Sequence, residues 1–170
     1  MLDFDALFDS LPSCGWLTKE EARTLLSAAK ETQGEILESG SYYGRSTVLL
    51  ASLGREVHTV DPFEGFDSDR IDGDLIEIEL QFAVAGLPVT VYRMKIEDWP
   101  ARPVGFAYLD GDHTYEGTLA QIQKAKECGA SVIAVHDVND SGGGLKVKQA
   151  CLELLGPWGE RVERLAIWKL

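Results

Sequence analysis

The sequence predicts a single α/β domain over residues 1–170: a doubly wound, mostly parallel sheet with helices on both faces and an antiparallel C-terminal strand. Three observations predict it. Short apolar runs alternate with longer stretches of helical periodicity, the mark of successive βαβ units. The run SVIAVHD is almost wholly apolar, as a strand covered on both sheet faces must be. No repeat, low-complexity tract or linker divides the chain, and right-handed crossovers then leave few topologies.

Taken in order, LTKEEARTLLSAAKET reads as a helix, with Thr18 and Glu21 spaced as a capping box. It belongs to an N-terminal helical segment, 1–33, expected to contribute to the cofactor and acceptor site. GEILE is a short buried strand that ends at a glycine turn, and GRSTVLLASLG a helix closed by Gly54. EVHTVD is the second strand, PFEGFDSDR a loop, and DGDLIEIELQFAVAG a helix stopped by Gly86. PVTVYRM and GFAYLD are strands three and four. TYEGTLAQIQKAKECG is an amphipathic helix with Leu119, Ile122 and Ala125 on one side. After the fifth strand, SVIAVHD, the segment DSGGG reads as a flexible loop and LKVKQACLELLG as a helix. RVERLAIWKL closes the chain as a strand or a short antiparallel pair.

A chain of this length buries roughly 70% of its unfolded surface, so it needs neither disulfide nor metal to fold. Hydrophobic residues make up 45% and charged residues 26%, a globular balance, and the net charge of −12 disfavours nucleic acid and anionic lipid as partners. Cys14, Cys128 and Cys151 are widely spaced with no C-x-x-C pair, which favours reduced thiols. The acidic start MLDFDALFDSL does not resemble a signal peptide, and no apolar run reaches the ~18 residues of a membrane span. The expectation is a cytoplasmic protein.

In open parallel sheets, ligands bind outside the carboxyl ends of the strands. Those ends carry Glu38, Asp61, Glu97 with Asp98, Asp110 with Asp112, and Asp137. Such a rim disfavours phosphates. A dinucleotide turn, G-x-G-x-x-G, would need glycine where Tyr42 stands, and a phosphate loop fails because Gly40 and Gly44 are too close and Arg45 replaces lysine. The rim suits a ligand with a ribose and positive charge, and Asp61 lies about twenty residues past the glycine turn, where an acid serves ribose hydroxyls. S-adenosylmethionine has a ribose, an ammonium and a sulfonium, and no phosphate. The glycine turn, with Glu38 pointing into it, would let the cationic amino acid tail lie against the backbone.

At these residues the sequence resembles the class I S-adenosylmethionine-dependent methyltransferases, most of all the small O-methyltransferase branch with the catechol and macrolide-sugar enzymes. LESGSYYGRST resembles the first motif of that family, HTVDPFEGF the second, FAYLDGDHTYEG the fourth and VIAVHDV the fifth. The resemblance, which runs from about Gly15 to Leu170, implies a Rossmann-like fold. It implies that Gly40 and Tyr42 line the methionine part of the cofactor, that Ser46 bonds its polar tail, that Asp61 holds the ribose, that Ile96 and Glu97 flank the adenine, and that Glu38, Gly44 and Asp110 also belong to the cofactor-binding set. In metal-using members an acid ending strand four and two residues ending strand five hold Mg²⁺. The matching positions are Asp110, His136 and Asp137, and His136 departs from the oxygen ligand usual there.

The expected reaction is in-line transfer of methyl to a hydroxyl of a small molecule, assisted by a base or a divalent metal. His113, three residues beyond the strand end, matches the basic residue of catechol-type relatives; packing over the adenine or capping the helix are its other readings. Asp112 reads as a helix cap, and His58, inside strand two, as structural. Trp16 and Tyr43 are either pocket-side or core aromatics. DSGGG would cover the acceptor as a mobile loop, or simply connect, and PFEGFDSDR would line the acceptor site. A homodimer is expected to be able to supply further acceptor contacts. An NAD(P)-dependent oxidoreductase and a non-catalytic S-adenosylmethionine-binding protein are the alternative functions.

Overall fold

The computed structural model describes residues 3–64 and 72–170. Strands β1 (Ile36–Ser39), β2 (Val57–Asp61), β3 (Val89–Arg93), β4 (Phe106–Leu109), β5 (Val132–Val135), β6 (Glu160–Val162) and β7 (Leu165–Lys169) form one sheet. Their order is β3-β2-β1-β4-β5-β7-β6. β1 to β5 run parallel, while β7 lies antiparallel to both β5 and β6. The C-terminal stretch is therefore an antiparallel pair, and β7 enters the sheet between β5 and β6.

Register decides where the site falls. Ile36 pairs with both Val57 and Phe106, and Ser39 with both Val60 and Leu109. The C-terminal ends of β2, β1 and β4 thus lie level along one edge. Strand order reverses between β1 and β4, and that reversal opens the crevice in which ligands of such sheets sit.

Both sheet faces are covered, and so the central strands are apolar at every other position on each side. Ile36, Val57, Phe106 and Tyr108 pack with Leu25, Leu26, Leu49 and Leu50 from helices α2 (Lys19–Lys30) and α3 (Arg45–Ala51). Leu37, Ala107, Leu109 and Ile133 face the other way, onto Ile122 and Ala125 of α5 (Tyr115–Glu127) and Val147 and Cys151 of α6 (Gly142–Leu155). Leu119 is only half-buried; Thr118 and Gln121 complete the inner stripe of α5. Helix α4 (Gly73–Ala83) buries Ile76 and Leu80 against Phe63 and Val84. Within the N-terminal segment expected to be helical, a short helix, α1 (Phe4–Ser10), starts at Asp3, whose carboxylate accepts from the Asp5 amide.

Helix α2 begins with the reciprocal capping box expected from Thr18 and Glu21. One reading is corrected: Gly142–Gly144 are the first turn of α6, not a flexible loop. Glycine is a poor helix former, but a Cβ on Gly144 would come within 2.3 Å of the Asn139 side chain, so packing overrides propensity here. The loop read over 62–70 lies mostly outside the described residues. All three cysteines are free, Cys14 exposed and Cys128 and Cys151 buried. Among the described residues, no helix is long and apolar enough to cross a membrane.

Candidate active site

A cavity of about 550 Å³ opens at the reversal of strand order. Of the positions singled out in the sequence, Gly40, Tyr42, Ser46, Asp61, Ile96, Glu97, Asp110, Asp112, His113, His136 and Asp137 line it, together with Trp16. Glu38, Gly44 and Asp98 are not in its wall. His58 lies away from it, buried, with Nε2 2.8 Å from Glu35.

The glycine turn follows β1. Gly40 has φ +88°, and a Cβ there would lie 2.3 Å from the Asp110 carbonyl oxygen and 2.7 Å from the Gly111 nitrogen. The room that Gly40 leaves is therefore filled by the chain's own backbone after β4. Asp61 braces the same turn: Oδ2 accepts from the Ser41 and Tyr42 amides at 2.9 and 3.3 Å, and Oδ1 from the Phe63 amide at 2.8 Å. Oδ2 is thereby filled, and Oδ1 keeps one lone pair for a further donor. Tyr42, at φ 47°, stacks on Trp16 with ring centroids 5.1 Å apart. Arg45, which stands where a phosphate loop has lysine, instead donates to the carbonyls of Pro12 and Leu17 and ties the Trp16 segment to α3.

Glu38 corrects an expectation. Its carboxylate does not point into the turn but is fully buried behind it. Ser46 and Thr47 each donate to it at 2.6 Å and Thr59 at 2.7 Å. Burial pushes its pKa up to about 7, against those three donors and with help from the charge of Asp110. Ser46 therefore reaches the cavity with its proton committed to Glu38. Glu38 holds β1, β2 and α3 together rather than meeting a ligand.

Around Asp110 the chain gathers charge. Tyr108 donates its hydroxyl to Asp110 Oδ2 at 3.0 Å. Asp110 Oδ1 lies 3.2 Å from His136 Nδ1 and 3.4 Å from His113 Nε2. The other nitrogen of His136 is 3.2 Å from Glu21 Oε2, and both of those side chains are almost wholly buried. Asp137, at the strained φ of 56°, accepts from Arg164 Nη1 at 3.0 Å; its other oxygen is 3.6 Å from His113 Nδ1. Burial alone would lower the pKa of His136, but Asp110 and Glu21 raise it to about 10. Burial opposes ionisation of Glu21, yet His136 and the Thr18 and Arg164 amides bring it down to about 2. Burial likewise opposes ionisation of Asp110, and the two histidines hold it below the usual carboxylate range all the same. The hydrogen bond to Asp110 raises His113.

Glu21, Tyr108 and Arg164 were not singled out in the sequence. Glu21 carries a signal only as the capping-box acid, and Arg164 none. The metal trio expected from the sequence, Asp110, His136 and Asp137, is also corrected, because both ring nitrogens of His136 already face carboxylates. Asp110, His113 and Asp137 instead bring one ligand atom each within 4.8 Å of one another. These groups do not fit magnesium. The ion prefers oxygen alone, one of the three donors is an imidazole, and both carboxylates are already engaged by His136 and Arg164.

The fold and this crevice define a class: a doubly wound α/β domain with a ligand site at the switch point of its sheet. A methyltransferase-domain family model matches residues 37–138, and the chain belongs to that methyltransferase family. Solved structures share the fold. CalS11, a TDP-rhamnose 3′-O-methyltransferase of calicheamicin biosynthesis, is 17% identical, with a TM-score of 0.60 over 98% of this chain and 90% of that one. TomG from Streptomyces achromogenes, an O-methyltransferase of tomaymycin synthesis in complex with S-adenosylmethionine, is 19% identical (TM-score 0.60; 91% and 75% covered). An S-adenosylmethionine-dependent O-methyltransferase from Thermotoga maritima is 14% identical (TM-score 0.65; 89% and 56%).

Proposed function

We infer that this methyltransferase moves the methyl group of S-adenosylmethionine to a hydroxyl of a small molecule, with His113 as the general base. The observation that carries the reading is the convergence of Asp61, Glu97, Asp110 and His113 on one cavity at the strand-order reversal. The cofactor and the oxygen acceptor are also supported by the names of the structures that share the fold.

In this reading the remaining lone pair of Asp61 Oδ1 takes a ribose hydroxyl, Ile96 and Glu97 flank the adenine, and Gly40 and Tyr42 border the methionine part. S-adenosylmethionine supplies the electrophile: its sulfonium is a good leaving group. The chain positions and deprotonates. His113 Nε2 faces Asp110, and Nδ1, 3.6 Å from Asp137 and so beyond hydrogen-bond distance of it, takes the proton of the acceptor hydroxyl. The oxygen then bonds to the methyl carbon, and the sulfur–methyl bond breaks with its electron pair going to sulfur. Asp110 keeps the imidazole aligned and stabilises its protonated form.

Calorimetric titration with S-adenosylmethionine, S-adenosylhomocysteine and NADPH tests the cofactor, followed by a screen of hydroxylated acceptors. Binding of NADPH in place of S-adenosylmethionine would favour an oxidoreductase. On a productive acceptor, His113→Ala should lower kcat by roughly 10²–10⁴-fold. Wild-type kcat/KM should rise with pH through a pKa above the usual histidine value, because His113 is raised. Unchanged turnover in the variant removes His113 as the base. Cofactor binding without turnover on any acceptor would leave a binding protein.

A further inference from the structure

We propose that the chain supplies its own cations at the reaction centre: Arg164 and His136 stand where a divalent ion would be held, and the site takes no such ion. The role as methyltransferase site rests on the function inferred above; the exclusion of a divalent ion does not.

Arg164 is not a surface arginine that happens to lie near an acid. Its Nη1 donates to Asp137 Oδ1 and its Nη2 to the Trp16 carbonyl, each at 3.0 Å. Its Nε lies 4.0 Å from Glu21 Oε1, and its own amide donates to that oxygen at 3.0 Å. Besides Asp137, the guanidinium is held by the Trp16 carbonyl and lies beside Glu21, which also accepts from the backbone of Arg164. The planar fork spends one nitrogen on Asp137 and another on the Trp16 carbonyl, which fixes its orientation.

His136 is held as firmly. It is 2% exposed, with Asp110 on one ring nitrogen and Glu21 on the other, each 3.2 Å away. Neither nitrogen has a lone pair to turn toward the cavity while those contacts stand. His136 Nδ1 is also 3.8 Å from Asp137 Oδ1, so the two carboxylates that would share an ion share this imidazole instead. The remaining oxygen of Asp110 takes the Tyr108 hydroxyl. His113 fills what is left, with its two nitrogens 3.4 and 3.6 Å from Asp110 and Asp137. An added dication would have to displace these contacts and would meet like charge from the guanidinium.

Arg164 and His136 thus act as positioning residues. They hold Asp110 and Asp137 on either side of His113 without lending an empty coordination site.

The test uses the chelator-treated full chain and Mn²⁺, a paramagnetic stand-in for Mg²⁺, with the imidazole resonances of His58, His113 and His136 resolved by NMR. In the wild type, millimolar Mn²⁺ should broaden His113 no more than the remote His58, and calorimetry with Mg²⁺ should show no saturable heat. Arg164→Gln should open Asp137 and admit Mn²⁺, giving selective broadening of His113; Arg164→Lys, which keeps a cation, should stay like wild type. The His58 resonance and circular dichroism report whether each variant folds. Saturable Mn²⁺ or Mg²⁺ binding by the wild type overturns the proposal, and so does an Arg164→Gln variant that folds yet stays unbroadened. If Arg164→Gln fails to fold, the wild-type and Arg164→Lys titrations still decide. Cofactor affinity, measured separately, shows whether the methyl-transfer reading fails on its own.

Discussion

Glu38→Gln isolates the buried carboxylate behind the glycine turn. The group is ordinarily titrated near 4.5 and in the folded chain near 7, because burial disfavours the anion more than three hydroxyl donors favour it. A folded pKa above the unfolded one contributes stability that is complete below the unfolded value and is lost as pH rises through the folded value. Over the interval from about pH 5 to about pH 8 that loss comes to about 2.5 kcal/mol, with a slope of roughly 1 kcal/mol per pH unit in its middle. Glutamine keeps the shape but has no charge at any pH. The Ser46 hydroxyl can turn to accept from the new amide while Thr47 and Thr59 still donate to its oxygen. Urea unfolding of both proteins across that interval, fitted by linear extrapolation, gives two pH profiles whose difference cancels the titrating groups that do not interact with Glu38. The variant should gain on the wild type steadily as pH rises. Parallel profiles would refute the argument, since they would mean that Glu38 titrates alike in the folded and unfolded chains.

Two further outcomes follow from the same turn. Gly40→Ala should cost more than Gly54→Ala. Both have positive φ, which costs about 1 kcal/mol for alanine, but Gly54 has nothing within 4 Å of an added Cβ while Gly40 has the Asp110 backbone at 2.3 Å. Denaturant midpoints compare them, and equal losses would show that the close approach to β4 does not matter. Asp61→Asn should weaken S-adenosylmethionine binding roughly tenfold or more, the worth of charge-assisted hydrogen bonds, while an acceptor added at saturating cofactor is still methylated. Calorimetry measures the first and a product assay the second.

Much of the architecture was legible because two periodicities alternate cleanly along the chain. ILES, VHTVD, FAYL and VIAV are too short and too apolar for surface helices, and each ends where a polar residue takes over. The level register of β1, β2 and β4 then gathers the acids that follow them, so adjacency in the site could be reasoned from strand ends alone. Side-chain direction could not. Glu38 sits one residue before the end of β1 and so points into the packed layer toward α3, whereas Asp61 at the end of β2 and Asp110, Asp112 and Asp137 beyond β4 and β5 reach the cavity. His136 and Asp137 are neighbours in the chain but turn to different partners, because Asp137 adopts a left-handed backbone that no pattern announces. Glu21 was readable as the third residue of a helix cap and nothing more; its contact to His136 spans 115 positions. Arg164 comes from a tight turn between β6 and β7 whose approach to the site depends on β7 lying beside β5.

The double duty of Glu21 has a dynamic consequence. The same carboxylate that accepts the Thr18 amide at the start of α2 also holds the imidazole behind Asp110. Fraying of that first turn, ordinarily a harmless local event, here loosens the reaction centre in the same motion. Hydrogen exchange at the Thr18 amide should therefore slow when a ligand settles against Asp110.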